Sequence, residues 1–203
     1  MNQQTEHWTG PEGKAYAHRS PGSLESSRAM FHRIFDCLPR QPESVIELGA
    51  GVGTNLQAIG QLAKHTHRTA VEVNPEAIAK LANHCESLVI SRIENLGPLP
   101  PAELTFTRGV LIHLPESNLP HAFEVLFKSS SRWVMVAEYY SPNRTMVPYR
   151  GKPNLLWTDD YVGKIIRQYP SLRLIDYGFV SKYDDKYPQD DVTWFLMEKT
   201  GSA

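Results

Sequence analysis

Apolar positions along this chain alternate between helical spacing and short continuous runs. Met30, Phe31, Ile34, Phe35 and Leu38 recur at helical spacing. They predict a helix over 24–38, closed by Pro39 and Pro42. Val45-Ile46-Glu47-Leu48 then predicts a strand, followed by a glycine-rich turn and a helix over 54–64. A second strand is expected at 69–73, and Asn74-Pro75 opens the next helix as cap and first-turn proline. Further strands are expected at 88–90, 104–107 and 133–138, with an amphipathic helix over 118–128 before the last of them. A loop rich in Pro, Asn, Tyr and Arg leads to a helix over 159–168. Two closing strands, 172–180 and 192–198, flank an acidic polar loop.

Strands alternating with helices imply a mostly parallel sheet with helices on both faces. The last two strands have no helix between them, so they must form an antiparallel pair. The expected fold class is therefore α/β: one Rossmann-like domain over 1–203 whose seven-stranded, mostly parallel sheet ends in an antiparallel hairpin. That arrangement resembles the class I methyltransferase architecture.

The candidate chemistry starts at Glu47-Leu48-Gly49-Ala50-Gly51-Val52-Gly53. Gly49, Gly51 and Gly53 leave room for a ligand where a strand turns into a helix. A dinucleotide fingerprint would space its glycines G-x-G-x-x-G. Here the spacing is G-x-G-x-G behind an acid, which resembles motif I of class I methyltransferases. S-adenosylmethionine (SAM) carries an ammonium and a sulfonium instead of a phosphate, so Glu47 is a sensible neighbour, with Asn55 at the start of the following helix. About twenty residues on, Glu72 and Val73 end the second strand, where nucleotide-binding α/β folds place an acid for the ribose hydroxyls. Arg92 and Ile93 fall where the adenine is expected, and Arg108 and Gly109 beside the transferred methyl. Trp8, Tyr16 and Arg19 suit an N-terminal lid within 1–40, the arginine pairing with the methionine carboxylate. A packed surface turn accounts for those three equally well.

The second half narrows the class. Gly109-Val110-Leu111-Ile112-His113, Ala137-Glu138-Tyr139-Tyr140-Ser141-Pro142 and Val147-Pro148-Tyr149-Arg150-Gly151 closely resemble methylases associated with pseudaminic acid biosynthesis. So do Asp176-Tyr177-Gly178-Phe179 and the stretch from Pro188 to Phe195. The resemblance implies a small cytoplasmic SAM-dependent methylase acting on amino sugars of the nonulosonic acid type, with S-adenosylhomocysteine (SAH) as product. Trp157-Thr158-Asp159-Asp160 and the loop from Lys182 to Tyr187 depart from that pattern, and both fall in the expected acceptor region.

Two acceptor-side loops, 139–160 and 181–191, follow from topology, since ligands bind at the carboxyl edge of such sheets. Tyr140, Tyr149, Arg150, Asp190 and Asp191 are the candidate acceptor contacts. Acids flanked by tyrosines would hold an amine and Arg150 a carboxylate, as in an amino-acid-like zwitterion. His113, with Tyr139 and Glu138, is the candidate for acid–base work. Capping or packing would explain the same residues without chemistry.

Charge adds an exclusion. Lys and Arg total 21 against 22 Asp and Glu, so a nucleic-acid or anionic-membrane partner has no electrostatic support. No apolar run reaches membrane-spanning length and no secretory leader is evident. The histidines lack ligand spacing, so no metal is expected, and Cys37 and Cys85 look like small hydrophobes in a reducing compartment. The oligomeric state stays open between monomer and homodimer. Two other functions compete: an NAD-dependent oxidoreductase, and a SAM-binding partner protein without catalysis.

Overall fold

Strands that are apolar on both faces need a helical layer on each side, and the sheet of this chain has both. The computed structural model describes residues 10, 13, 15 and 23–201. Strands β1 (Ser44–Leu48), β2 (His67–Glu72), β3 (Ser87–Ile90), β4 (Ala102–Arg108) and β5 (Ser130–Glu138) pair in parallel. A short ribbon, β6 (Thr145–Met146) and β7 (Trp157–Thr158), stands apart from them. The chain closes with β8 (Leu172–Val180) and β9 (Val192–Lys199), and β9 inserts antiparallel between β5 and β8. The order β3-β2-β1-β4-β5-β9-β8 is the Rossmann-like methyltransferase fold, as the alternation of elements predicts.

Side-chain alternation divides the core in two. Val45, Leu104, Phe106, Met135 and Trp194 face helices α1 (Leu24–Asp36) and α2 (Thr54–Leu62). Ile46, Leu48, Val134, Val136 and Met197 face α4 (Leu119–Lys128) and α5 (Tyr161–Gln168). Phe31 of α1 is fully buried and meets Phe106 edge-on at 5.2 Å. Truncating it to alanine should cost about 3–5 kcal/mol.

Caps set the helix starts. Ser23 accepts from Ser26 N at 2.9 Å ahead of α1. Asn74 accepts from Glu76 N at 3.1 Å, with Pro75 in the first turn of α3 (Pro75–Leu81), as its dipeptide predicts. Cys37 and Cys85 are free and half-buried.

The ribbon occupies residues expected to be loop. Tyr149 and Lys152 exchange backbone hydrogen bonds of 2.9 and 3.0 Å around Arg150 and Gly151. Both turn residues have positive φ, 53° and 76°, the signature of a two-residue hairpin turn of type I′. Its base is anchored by Arg144, whose Nη1 donates to the buried Asp159 at 3.0 Å and whose Nη2 donates to the Leu114 carbonyl at 2.9 Å. Lys164 of α5 reaches the same Asp159 oxygen at 2.6 Å. Strands of two residues are too short to show a period, and Arg-Gly is a weaker turn signal than Asn-Gly.

Candidate functional site

The carboxyl ends of β1 to β4 border one cleft, and the glycine turn after β1 forms its floor. Gly49 and Ala50 donate to the Val71 carbonyl at 2.8 and 3.0 Å, which folds the turn over the end of β2. Gly49 has φ 74°, and a Cβ there would meet Val110 at 2.6 Å. Gly51 has φ 55°, but a Cβ on it would meet nothing within 4 Å among the described residues, because it faces the opening. The turn is thus glycine for backbone reasons at both positions, and for packing at Gly49.

Glu72 lines this cleft and ties its walls together. One carboxylate oxygen accepts from Gly51 N at 2.7 Å; the other accepts from Val73 N at 2.7 Å and Asn74 N at 2.8 Å. Arg92 and Ile93 face it from beyond β3, and Arg108, Gly109 and His113 from beyond β4. Asn74 also donates to the Gly13 carbonyl at 2.8 Å, which brings part of the N-terminal segment to the cleft's edge. Trp8, Tyr16 and Arg19 lie outside the described residues.

Behind the cleft runs a buried polar chain. Asn55 Nδ2 donates to Glu47 at 2.6 Å, and Arg108 donates to Asn55 Oδ1 at 3.3 Å and to Gln189 Oε1 at 2.5 Å. Gln189 in turn donates to the Ser26 carbonyl at 2.8 Å. Burial pushes the Glu47 carboxyl up to about 8, although the Asn55 bond and the Arg108 charge pull the other way. Its Oε2 is buried with no partner among the described residues. Glu47 and Asn55 therefore stand behind the cleft wall, with Arg108 in front of them. Gln189 was not expected: a buried glutamine in a polar loop carries no sequence signal beside the more conspicuous Asp190 and Asp191.

On the acceptor side the expected residues separate. His113 Nδ1 lies 2.6 Å from the Leu155 carbonyl, and Tyr149 packs on its ring edge-to-face at 5.3 Å. Arg150 sits exposed at the ribbon's turn, its guanidinium 5.6 Å from the Tyr149 ring centre. Tyr139 is half-buried between both core clusters. Tyr140 is 48% exposed and leans on Phe195. Asp191 accepts from Lys182 N at 3.0 Å and pairs with its ammonium at 2.9 Å; that partner holds its carboxyl below the usual range. Asp190 is exposed. Of the five expected acceptor contacts, Tyr149 packs on His113 and Arg150 lies beside Tyr149. Asp191 closes its own loop instead.

Glu138 has a different place from the acid–base role expected of it. It is buried, and its carboxylate accepts from the backbone N–H groups of Val110 and Leu111 at 3.1 Å and of Ile112 at 3.3 Å. Thr107 Oγ1 adds a bond of 3.0 Å. Burial pushes the carboxyl up to about 7 against these four donors. The acid caps the single helical turn that carries His113.

No protein-family model matches the chain, and no curated protein matches its sequence. Solved structures do match. The chain is similar to the 1,6-didemethyltoxoflavin-N1-methyltransferase of Burkholderia thailandensis, with TM-score 0.69 and 13% identity over 98% of this chain and 87% of that one. It is similar to the magnesium protoporphyrin IX methyltransferase of Synechocystis, with TM-score 0.67 and 10% identity over 98% of both chains. A plantazolicin methyltransferase gives TM-score 0.67 and 12% identity over 98% of this chain and 94% of that one. The first and third were solved with bound SAH and the second with SAM. At such identities the likeness is one of fold.

Proposed function

We propose that this chain is a SAM-dependent methyltransferase that modifies a nitrogen or oxygen of a small polar metabolite. The observation that carries the reading is Glu72. It closes β2 opposite a glycine turn whose Gly51 leaves space on the cleft side. The carboxylate oxygen that accepts from Gly51 N keeps one lone pair for a ribose hydroxyl, while Val73 N and Asn74 N take both on the other oxygen. Ile93 offers an apolar contact to adenine, and the open space at Gly51 suits the adenosyl group. Arg19, with Trp8 and Tyr16, would close the site from the N-terminal segment that Gly13 brings to its edge. Bound SAM would supply an electrophilic methyl on a sulfonium, with the sulfur as leaving group for an acceptor's lone pair. The protein's share is to orient the acceptor, exclude water and receive a proton.

His113 stands on the cleft wall as the group to receive that proton. Tyr149 packs on its ring, Arg150 lies beside Tyr149, and the two would meet an anionic or hydroxylated acceptor. Resemblance to the pseudaminic acid-associated methylases directs the search to nonulosonic acids and amino sugars, processed in the cytoplasm. Calorimetric titration with SAM, SAH and NAD tests the cofactor. Heat with SAM and SAH but not NAD is the expected result, and NAD binding alone would overturn the reading. Mass shifts after incubation with SAM and a panel of amino acids, amino sugars and nonulosonic acids identify the acceptor.

A further inference from the structure

We propose that the β6–β7 ribbon holds His113 in the tautomer whose Nε2 takes the acceptor's proton, so that Leu155, Tyr149 and Glu138 are positioning residues. The purpose rests on the methyltransferase reading; the geometry does not. A carbonyl oxygen can only accept, so His113 Nδ1, 2.6 Å from the Leu155 oxygen, must carry the hydrogen. In the neutral ring the lone pair then belongs to Nε2. A histidine side chain free in water prefers the opposite arrangement, with hydrogen on Nε2, so the protein imposes this tautomer.

The carbonyl that imposes it is firmly placed. Leu155 is buried, and its neighbour Leu156 accepts from Val147 N across the ribbon at 2.9 Å. The Tyr149 ring packs edge-to-face, at 73°, on the imidazole. Ring rotation about the side chain would break both contacts. The backbone of His113 is held separately: its N–H donates to the Val110 carbonyl at 3.0 Å, and Glu138 grips the N–H groups of residues 110 to 112. One acid fixes where the histidine starts, and the ribbon fixes how its ring is turned. Both act on a residue that shares a cleft with Glu72 and Gly51. The consequence for substrate class is that the acceptor atom carries a proton, as a hydroxyl or an ammonium does and a carboxylate does not. That proton passes from the acceptor to Nε2 and leaves an imidazolium.

Nitrogen-15 spectra of the histidine-labelled protein test this, with His113→Gln assigning the resonances. A protonated Nδ1 and an unprotonated Nε2 in neutral His113 are expected; the opposite tautomer overturns the proposal. Tyr149→Leu should raise the Nε2-protonated fraction severalfold and Tyr149→Phe should not. An unchanged spectrum in Tyr149→Leu removes Tyr149 from the device. SAM titration of the same samples keeps the two readings apart: lost binding in the unmodified protein defeats the cofactor assignment, whatever the tautomer. In the mass-shift assay, His113→Gln should slow transfer at least about a hundredfold with SAM affinity unchanged. An unchanged rate overturns the proton-accepting role.

Discussion

Arg108 and Gln189 are joined by a 2.5 Å hydrogen bond across the gap between β4 and the loop that precedes β9. That bond couples the wall of the cleft to the terminal hairpin. It also makes Gln189 the hub of a buried chain from Ser26 to Glu47. Gln189→Leu would leave a guanidinium hydrogen without its acceptor in a largely dry site. The expected loss is about 1.5–3 kcal/mol, read as a lowered urea midpoint at unchanged slope.

Glu72→Ala should weaken SAM binding at least tenfold, at about 1.5–3 kcal/mol per charge-assisted bond lost. It also frees Gly51 N, so Glu72→Gln is the milder companion, keeping one acceptor oxygen. Calorimetry on samples with native circular dichroism checks both. Unchanged affinity in Glu72→Ala would remove the ribose from β2.

Gly51→Val tests the floor of the cleft. Among the described residues the Cβ meets no atom within 4 Å, so the strain lies in a backbone φ of 55° that valine adopts poorly. The added methyls project into ligand space, and SAM binding should vanish from a domain that still folds. Retained affinity would show that the adenosyl group lies elsewhere.

The buried carboxyl of Glu47 gives stability a pH dependence of determinate sign. Its folded value, about 8, lies above the unfolded value near 4.5. The folded state therefore binds the proton more tightly. Stability from this group is complete below about pH 4.5 and is lost as pH rises towards 8, by at most about 1.4 kcal/mol per unit. Glu47→Gln should remove that decline and exceed the parent in stability near pH 8. A cationic ligand in the cleft, on the far side of Arg108, still favours the ionised form of the buried Glu47, so SAM binding should release protons. That release should appear as a calorimetric enthalpy that varies with buffer ionisation heat in the parent and not in Glu47→Gln.

The fold was legible because Val45, Leu104, Val134 and their neighbours write the period of each layer directly into the chain. The cleft at the strand ends was legible for a related reason. Gly49, Gly51 and Glu72 occupy positions fixed by a strand end and a turn, and those follow from sequence distance. The acceptor side depends on where long loops cross, which no period records. Asp191 and Lys182 are nine residues apart and close on each other, a pairing that local sequence does not favour over a turn toward the cleft. Glu138 looked like chemistry because an acid at a strand end usually meets solvent. Here three backbone donors reach it first.

The anchoring of Asp159 has a consequence for the rate at which the ribbon can open. Two strands of two residues have no stability of their own. With Arg144 and Lys164 both on one buried carboxylate, releasing the ribbon would strand a charge away from water. In hydrogen-exchange terms, the amides of Val147, Tyr149 and Lys152 should therefore exchange with the opening of α5, far more slowly than those of a surface loop.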